Sequence, residues 1–138
     1  MQLNLLRRIT VRMFSKRYAK THEWIMKNPD NSLYRVGISD NAQNQLGGVV
    51  YIGFPDVDHA FEKEEVFGEI ESPKAVSNLY APVDLRVVNI NEELAEDYGV
   101  VNEDAENTWM VEAEITNESQ LNELLSEEEY QKFVEEEG

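Results

Sequence analysis

Two short apolar runs, Val66 to Ile70 and Ala75 to Tyr80, flank a four-residue break, Glu71-Ser72-Pro73-Lys74. Runs this close read as an antiparallel hairpin, because a parallel pair needs a crossover of a dozen residues or more. Pro73 has φ fixed near the value wanted at the second position of a type I turn, and its missing N–H costs nothing at a hairpin tip. Lys74 then falls third in the turn, with its ammonium directed into water. Ser72 and Ala75 beside it are small and leave the amine open to a modifying enzyme. An ordinary solvated lysine in a tight turn is the plain alternative, and the rest of the chain bears on the choice.

From Tyr18 onward the pattern is of short strands separated by turn residues. His22 to Lys27 and Leu33 to Ile38 are strands joined by the turn Asn28-Pro29-Asp30-Asn31. Asp40, with Gln43 three residues on, is expected to cap a short helix that Gly47 ends. Gly48 to Phe54 reads as a buried strand, Ala60 to Glu65 as mixed and polar, and Leu85 to Asn91 as a further strand. Glu92 to Glu106 is acidic loop or short helix. In Trp109 to Ile115, apolar Trp109, Val111, Ala113 and Ile115 alternate with Met110, Glu112 and Glu114, the period of a half-buried strand. The tail is helical, with capping boxes expected at Asn117/Gln120 and Ser126/Glu129. Its apolar stripes are Leu121, Leu124, Leu125 and Tyr130, Phe133, Val134.

The 28 acidic against 12 basic residues give a net charge of −16. Such a field repels nucleic acid and anionic membranes and favours basic protein surfaces. Cysteine is absent, which excludes disulfides and thiolate metal sites. His22-Glu23 lacks the second zinc-ligating histidine, since Met26 stands four positions on. Asp56-Val57-Asp58 opens like a calcium loop, but Phe61 occupies the position that needs glycine. Scattered glycines make no phosphate cradle, and no catalytic or metal-binding set emerges. A chain of 138 residues is long enough to bury one core.

The stretch Glu71-Ser72-Pro73-Lys74-Ala75, followed by Ser77 and Tyr80-Ala81-Pro82-Val83, resembles the lipoyl-lysine site of glycine cleavage system H proteins. Their motif runs Glu-Ser, an apolar residue, Lys-Ala. The similarity extends through Tyr18 to Trp24, Val36-Gly37-Ile38-Ser39, Ala42-Gln43, Leu46-Gly47, Val50-Tyr51 and Gly53 to Pro55. It continues in Val101-Asn102-Glu103, Trp109, and Leu124-Leu125-Ser126 to Val134, so nearly everything after residue 17 is covered. A biotin carrier would place methionines on both sides of its lysine, where this chain has Pro73 and Ala75.

The resemblance implies a mainly β barrel-sandwich hybrid of two small sheets, of the lipoyl/biotinyl type, with a short internal helix and C-terminal helices. It implies a monomeric carrier, not an enzyme, bearing lipoate on Lys74. The implied partners are glycine decarboxylase, aminomethyltransferase and dihydrolipoyl dehydrogenase, between which the aminomethyl group of glycine is shuttled. A lipoyl or octanoyl transferase or ligase would modify the lysine. Glu23 matches the glutamate of the family's His-Glu-Trp motif that faces the cleft for the loaded arm. Asn78, in the same cleft, stands where the family usually has an acid, and Leu85 and Thr108 replace usual glycines. Two other readings compete: a lipoyl relay with little glycine turnover, and an acidic interaction module whose lysine is never modified.

Residues 1–22 contain no acid, yet carry Arg7, Arg8, Arg12, Lys16, Arg17 and Lys20 among Leu3, Leu5, Leu6, Ile9 and Met13. That composition is expected of a mitochondrial transit segment over residues 1–14, cut near Phe14/Ser15. The expected location is then the mitochondrial matrix, with residues 15–138 forming a single lipoyl-bearing domain.

Overall fold

The computed structural model describes residues 16–137; the basic segment 1–14 lies outside them. Nine strands, β1 (Arg17–Tyr18), β2 (Glu23–Lys27), β3 (Tyr34–Ile38), β4 (Tyr51–Gly53), β5 (Ala60–Phe61), β6 (Val66–Glu71), β7 (Val76–Tyr80), β8 (Leu85–Ile90) and β9 (Val111–Ile115), form two sheets. The larger has the order β1-β2-β3-β9-β8-β5, and the smaller has β4-β6-β7. All pairs are antiparallel. The helices are α1 (Asp40–Leu46), α2 (Glu92–Glu96), α3 (Val100–Glu103) and α4 (Glu127–Glu137), with 3₁₀ turns at Ala105–Asn107 and Glu118–Glu123.

Ile52, Ile70 and Leu79 of the small sheet share one core with Ile25, Val36, Val87 and Val111 of the large sheet. Burying each such side chain stabilises the fold by about 1.5–3 kcal/mol. The two sheets are thereby locked together, and the β6–β7 hairpin projects from a rigid base. This is the barrel-sandwich architecture expected, though its sheets are unequal, because two-residue β1 and β5 extend the larger one at its edges.

Several local expectations change. The N-cap of α1 is Ser39, whose Oγ accepts from Ala42 N–H at 3.1 Å; Asp40 is the first helical residue and instead accepts from the Gln43 amide at 2.8 Å. Gly47 does end this helix, at φ +81°, with its N–H on Gln43 O. Of the strand expected from Gly48 to Phe54, only Tyr51–Gly53 forms. At Asn117 no side-chain cap forms; Gln120 Oε1 accepts from Asp84 N–H at 2.7 Å instead. The Ser126/Glu129 box is complete, with Ser126 N–H on Glu129 Oε1 at 2.8 Å and Glu129 N–H on Ser126 Oγ at 3.2 Å.

The alternation expected around β9 fails at Met110 and Glu112, which are both buried. Glu112 lies among amides: Asn28 Nδ2 at 2.8 Å and Asn89 Nδ2 at 3.0 Å donate to it, as does Arg35 Nε at 3.0 Å. Partners from three other segments replace water, so a charged residue occupies a covered face.

Candidate functional site

At the tip of the β6–β7 hairpin, Glu71 pairs with Val76, and Ser72 N–H donates to Ala75 O at 2.8 Å. Ser72 is buried, and its Oγ accepts from Lys74 N–H at 3.2 Å and Ala75 N–H at 3.1 Å. A serine hydroxyl that takes up two successive amides pins the turn from inside. Pro73 and Lys74 occupy its two central positions, both exposed. The motif residues Glu71, Ser72, Pro73, Lys74 and Ala75 therefore have distinct places: Glu71 ends the ladder, Ser72 and Ala75 close and brace the turn, and Pro73 and Lys74 stand outward at its tip. Among the described residues, no salt bridge engages Lys74.

Glu23 opens β2 and is only 1 % exposed, so it is not a strand-edge charge. Its Oε2 accepts from Tyr80 N–H at 2.9 Å, and its Oε1 accepts from Thr21 Oγ1. Burial pushes its pKa up to about 7, although the bonds from Thr21 and Tyr80 oppose the shift. With its pKa raised toward neutrality, the carboxyl is readily tipped to its ionised form by a nearby cation.

Tyr80 lies six residues beyond Lys74 along β7, about 20 Å at strand spacing. The carboxylate and the lysine are thus at opposite ends of one strand, a distance that only a long flexible appendage on the lysine covers. Asn78 lies between them, exposed, and makes no bond with Glu23 among the described residues. Its cross-strand partner is Glu69, so a carboxylate does stand opposite the neutral amide. Neither Glu69 nor Thr21 was singled out from sequence; the hairpin register, once counted from the Pro73 turn, would have indicated Glu69.

Thr21, the donor to Glu23, lines a cavity of about 180 Å³ with Tyr18, Ala81, Pro82, Leu124 and Leu125 among others, while Glu23 itself stands behind that lining. Thr21 faces both the cavity and Glu23. Lys63 and Glu123 are at its rim, paired at 2.6 Å. The departures elsewhere are absorbed locally: Leu85 is buried in the core, and Thr108 Oγ1 donates to Asp104 O at 2.7 Å.

Residues 16–137 match the family model described as glycine cleavage H-protein. The glycine cleavage system H protein of Koribacter versatilis is 46 % identical over 122 residues, 88 % of this chain and 93 % of the relative. That of Carboxydothermus hydrogenoformans is 46 % identical over 123 residues, with coverage of 88 % and 93 %. A crystal structure of a glycine cleavage system H protein from Mycobacterium marinum superposes with a TM-score of 0.76 at 31 % identity, covering 84 % of this chain and 93 % of that one. These relatives come from bacteria, which lack mitochondria, and they correct the expected matrix location. The expectation rested on a basic, acid-free composition, which describes charge and carries no unique address.

Proposed function

The chain belongs to the glycine cleavage H-protein family, whose members are lipoyl carriers in glycine cleavage and not catalysts themselves, and from that premise we propose that Lys74 is the point of attachment. The observation that carries the proposal is the hairpin tip: an exposed primary amine held on a turn that Ser72 braces and Pro73 stiffens. Lipoate held in amide linkage on Lys74 Nζ would supply a dithiolane whose disulfide can be reduced as it takes up the aminomethyl group of glycine, for exchange among glycine decarboxylase, aminomethyltransferase and dihydrolipoyl dehydrogenase.

The chain's own residues present, hold and shield. The rigid core fixes the hairpin, and the position of Lys74 leaves its side chain open to a lipoyl or octanoyl transferase or ligase. Glu23 offers the lone pairs not used by Thr21 and Tyr80 to a primary amine that reaches it. A charge-assisted bond of that kind is worth about 1.5–3 kcal/mol. The neighbouring recess, largely apolar in its lining, gives such an amine a place partly screened from bulk water. Asn78, with Glu69 across the ladder, lines the path between Lys74 and Tyr80.

The test is the intact mass of protein isolated from its own cells, followed by the same measurement on Lys74→Arg. The arginine keeps the charge and lacks the amine that is acylated. We expect one lipoyl adduct on the parent, none on the variant, and loss of glycine-dependent carbon transfer. An adduct that persists on Lys74→Arg places the attachment elsewhere.

A further inference from the structure

The Tyr130 hydroxyl, on buried α4 residue Tyr130, stands 2.7 Å from His22 Nδ1 and 2.6 Å from Ser39 Oγ. Its ring stacks on Tyr18, with centroids 4.3 Å apart and planes within 9°. His22 also lies edge-on to that ring, and its Nε2 is 3.4 Å from Glu137. The Tyr130 hydroxyl can donate to either His22 Nδ1 or Ser39 Oγ and accept from the other, and Ser39 Oγ also takes the Ala42 N–H, so a continuous chain of hydrogen bonds joins α4, His22 and α1.

His22 sits between Thr21 and Glu23, the two side chains that meet at the arm's cleft. Its φ is +83°, a left-handed conformation that few residues other than glycine, asparagine or aspartate adopt. The turn is closed by Ala19 N–H on Glu23 O and His22 N–H on Ala19 O, both at 2.9 Å, and tied to α1 by Ser39 N–H on His22 O at 2.9 Å. A displacement of His22 therefore moves Glu23 with it. The lead-in to α4 is joined to the same region, because Tyr18 and Leu125 exchange backbone bonds at 2.8 Å and both line the cavity, with Leu124 beside them.

We propose that α4 is a positioning clamp, in which Tyr130 holds His22 so that the Thr21–Glu23 turn stays aimed at the amine of the loaded arm. Tyr130 and His22 are positioning residues that touch neither arm nor cargo and set how long the cargo is retained. The inference rests on the reading of Glu23 as the amine's partner.

The experiment uses full-length, fully lipoylated protein loaded with the aminomethyl group, and compares Tyr130→Phe, His22→Ala, His22→Asn and Glu23→Gln. Tyr130→Phe keeps the stack on Tyr18 and removes only the hydroxyl. His22→Asn tolerates the left-handed backbone and places an amide near the position of Nδ1, whereas His22→Ala supplies no partner. Release should be about fivefold faster in Tyr130→Phe and in His22→Ala. It should return to near the parental rate in His22→Asn, and combining Tyr130→Phe with His22→Ala should release no faster than the more affected single. Before loading, the Tyr80 amide resonance should shift in the two fast variants and stay in place in His22→Asn, a readout independent of turnover. Thermal unfolding establishes that each variant is folded, and if Tyr130→Phe is not, the His22→Ala and His22→Asn pair decides alone. Folded variants with parental release and an unmoved Tyr80 amide, beside an accelerated Glu23→Gln, would overturn the clamp and leave the cleft reading standing. An unaffected Glu23→Gln would overturn both.

Discussion

Glu23 and Glu112 are both buried carboxylates, yet their surroundings drive them in opposite directions. At Glu23 burial prevails over two hydrogen bonds, and the pKa rises from 4.5 to about 7. At Glu112 burial also pushes upward, but bonds from Asn28, Asn89, Arg35 and Asn31 outweigh it and leave the group below its ordinary value. The linkage signs follow. Between pH 4.5 and 7 folded Glu23 holds a proton that the unfolded chain has lost, so stability falls as pH rises through that window, by on the order of 3 kcal/mol. Glu23→Gln should therefore melt higher than the parent at pH 8, with the difference fading toward pH 4.5, as melting curves at the two ends will show. The same variant should release the aminomethyl group about one to two decades faster while Lys74 is still modified. A gain in stability with a loss of retention is the signature of a group kept for function. Asn78→Asp should slow release, because it adds a carboxylate beside the path. Glu112 behaves conversely: its contribution is full above the ordinary carboxylate pKa and is lost as pH falls through its lowered value. Glu112→Gln should cost about 1.5–3 kcal/mol at neutral pH, and the deficit should shrink in acid.

Among the elements, the hairpin and α4 depend on different local devices and should respond independently. The α4 cap is a reciprocal pair across Ser126 and Glu129. Ser126→Ala should lower stability by about 1 kcal/mol in denaturant titration, with the proposed lipoylation of Lys74 unchanged, because the cap lies outside the hairpin. Gly68 on β6 is a matter of space: a Cβ there would come 2.5 Å from the Gly53 carbonyl oxygen of β4. Gly68→Ala must push β6 and β4 apart, and about 1–3 kcal/mol of destabilisation is expected by the same titration. A substitution at the tip such as Pro73→Ala leaves Ser72 Oγ with its two amides, so the turn persists with somewhat more freedom.

For the whole molecule the dominant quantity is the net charge of −16. Spread over so small a chain, it favours encounter with basic partner surfaces and works over roughly one Debye length, about 10 Å at 0.1 M salt. The apparent KM of each glycine cleavage enzyme for this carrier should rise between 50 and 500 mM salt, while kcat changes little. A KM that ignores salt would show that charge serves solubility alone.

What the sequence determined by itself was whatever acts within a few residues. Pro73 dictates its own φ, so the turn and the outward place of Lys74 were legible, and Ser126 and Glu129 are three residues apart, so their box was too. The apolar runs marked most of the core for the same reason. Resemblance along nearly the whole chain added the family and fold, which the local pattern does not contain. Only the tertiary structure decided that Glu23 is buried against Tyr80, 57 residues away, and that Glu112 turns inward to amides from β8 and from the turn between β2 and β3. It likewise decided that Tyr130 holds His22 across 108 residues. A polar side chain reads as exposed until its partners are known, because burial is tolerable only where hydrogen bonds replace water, and those partners come from segments that meet only on folding.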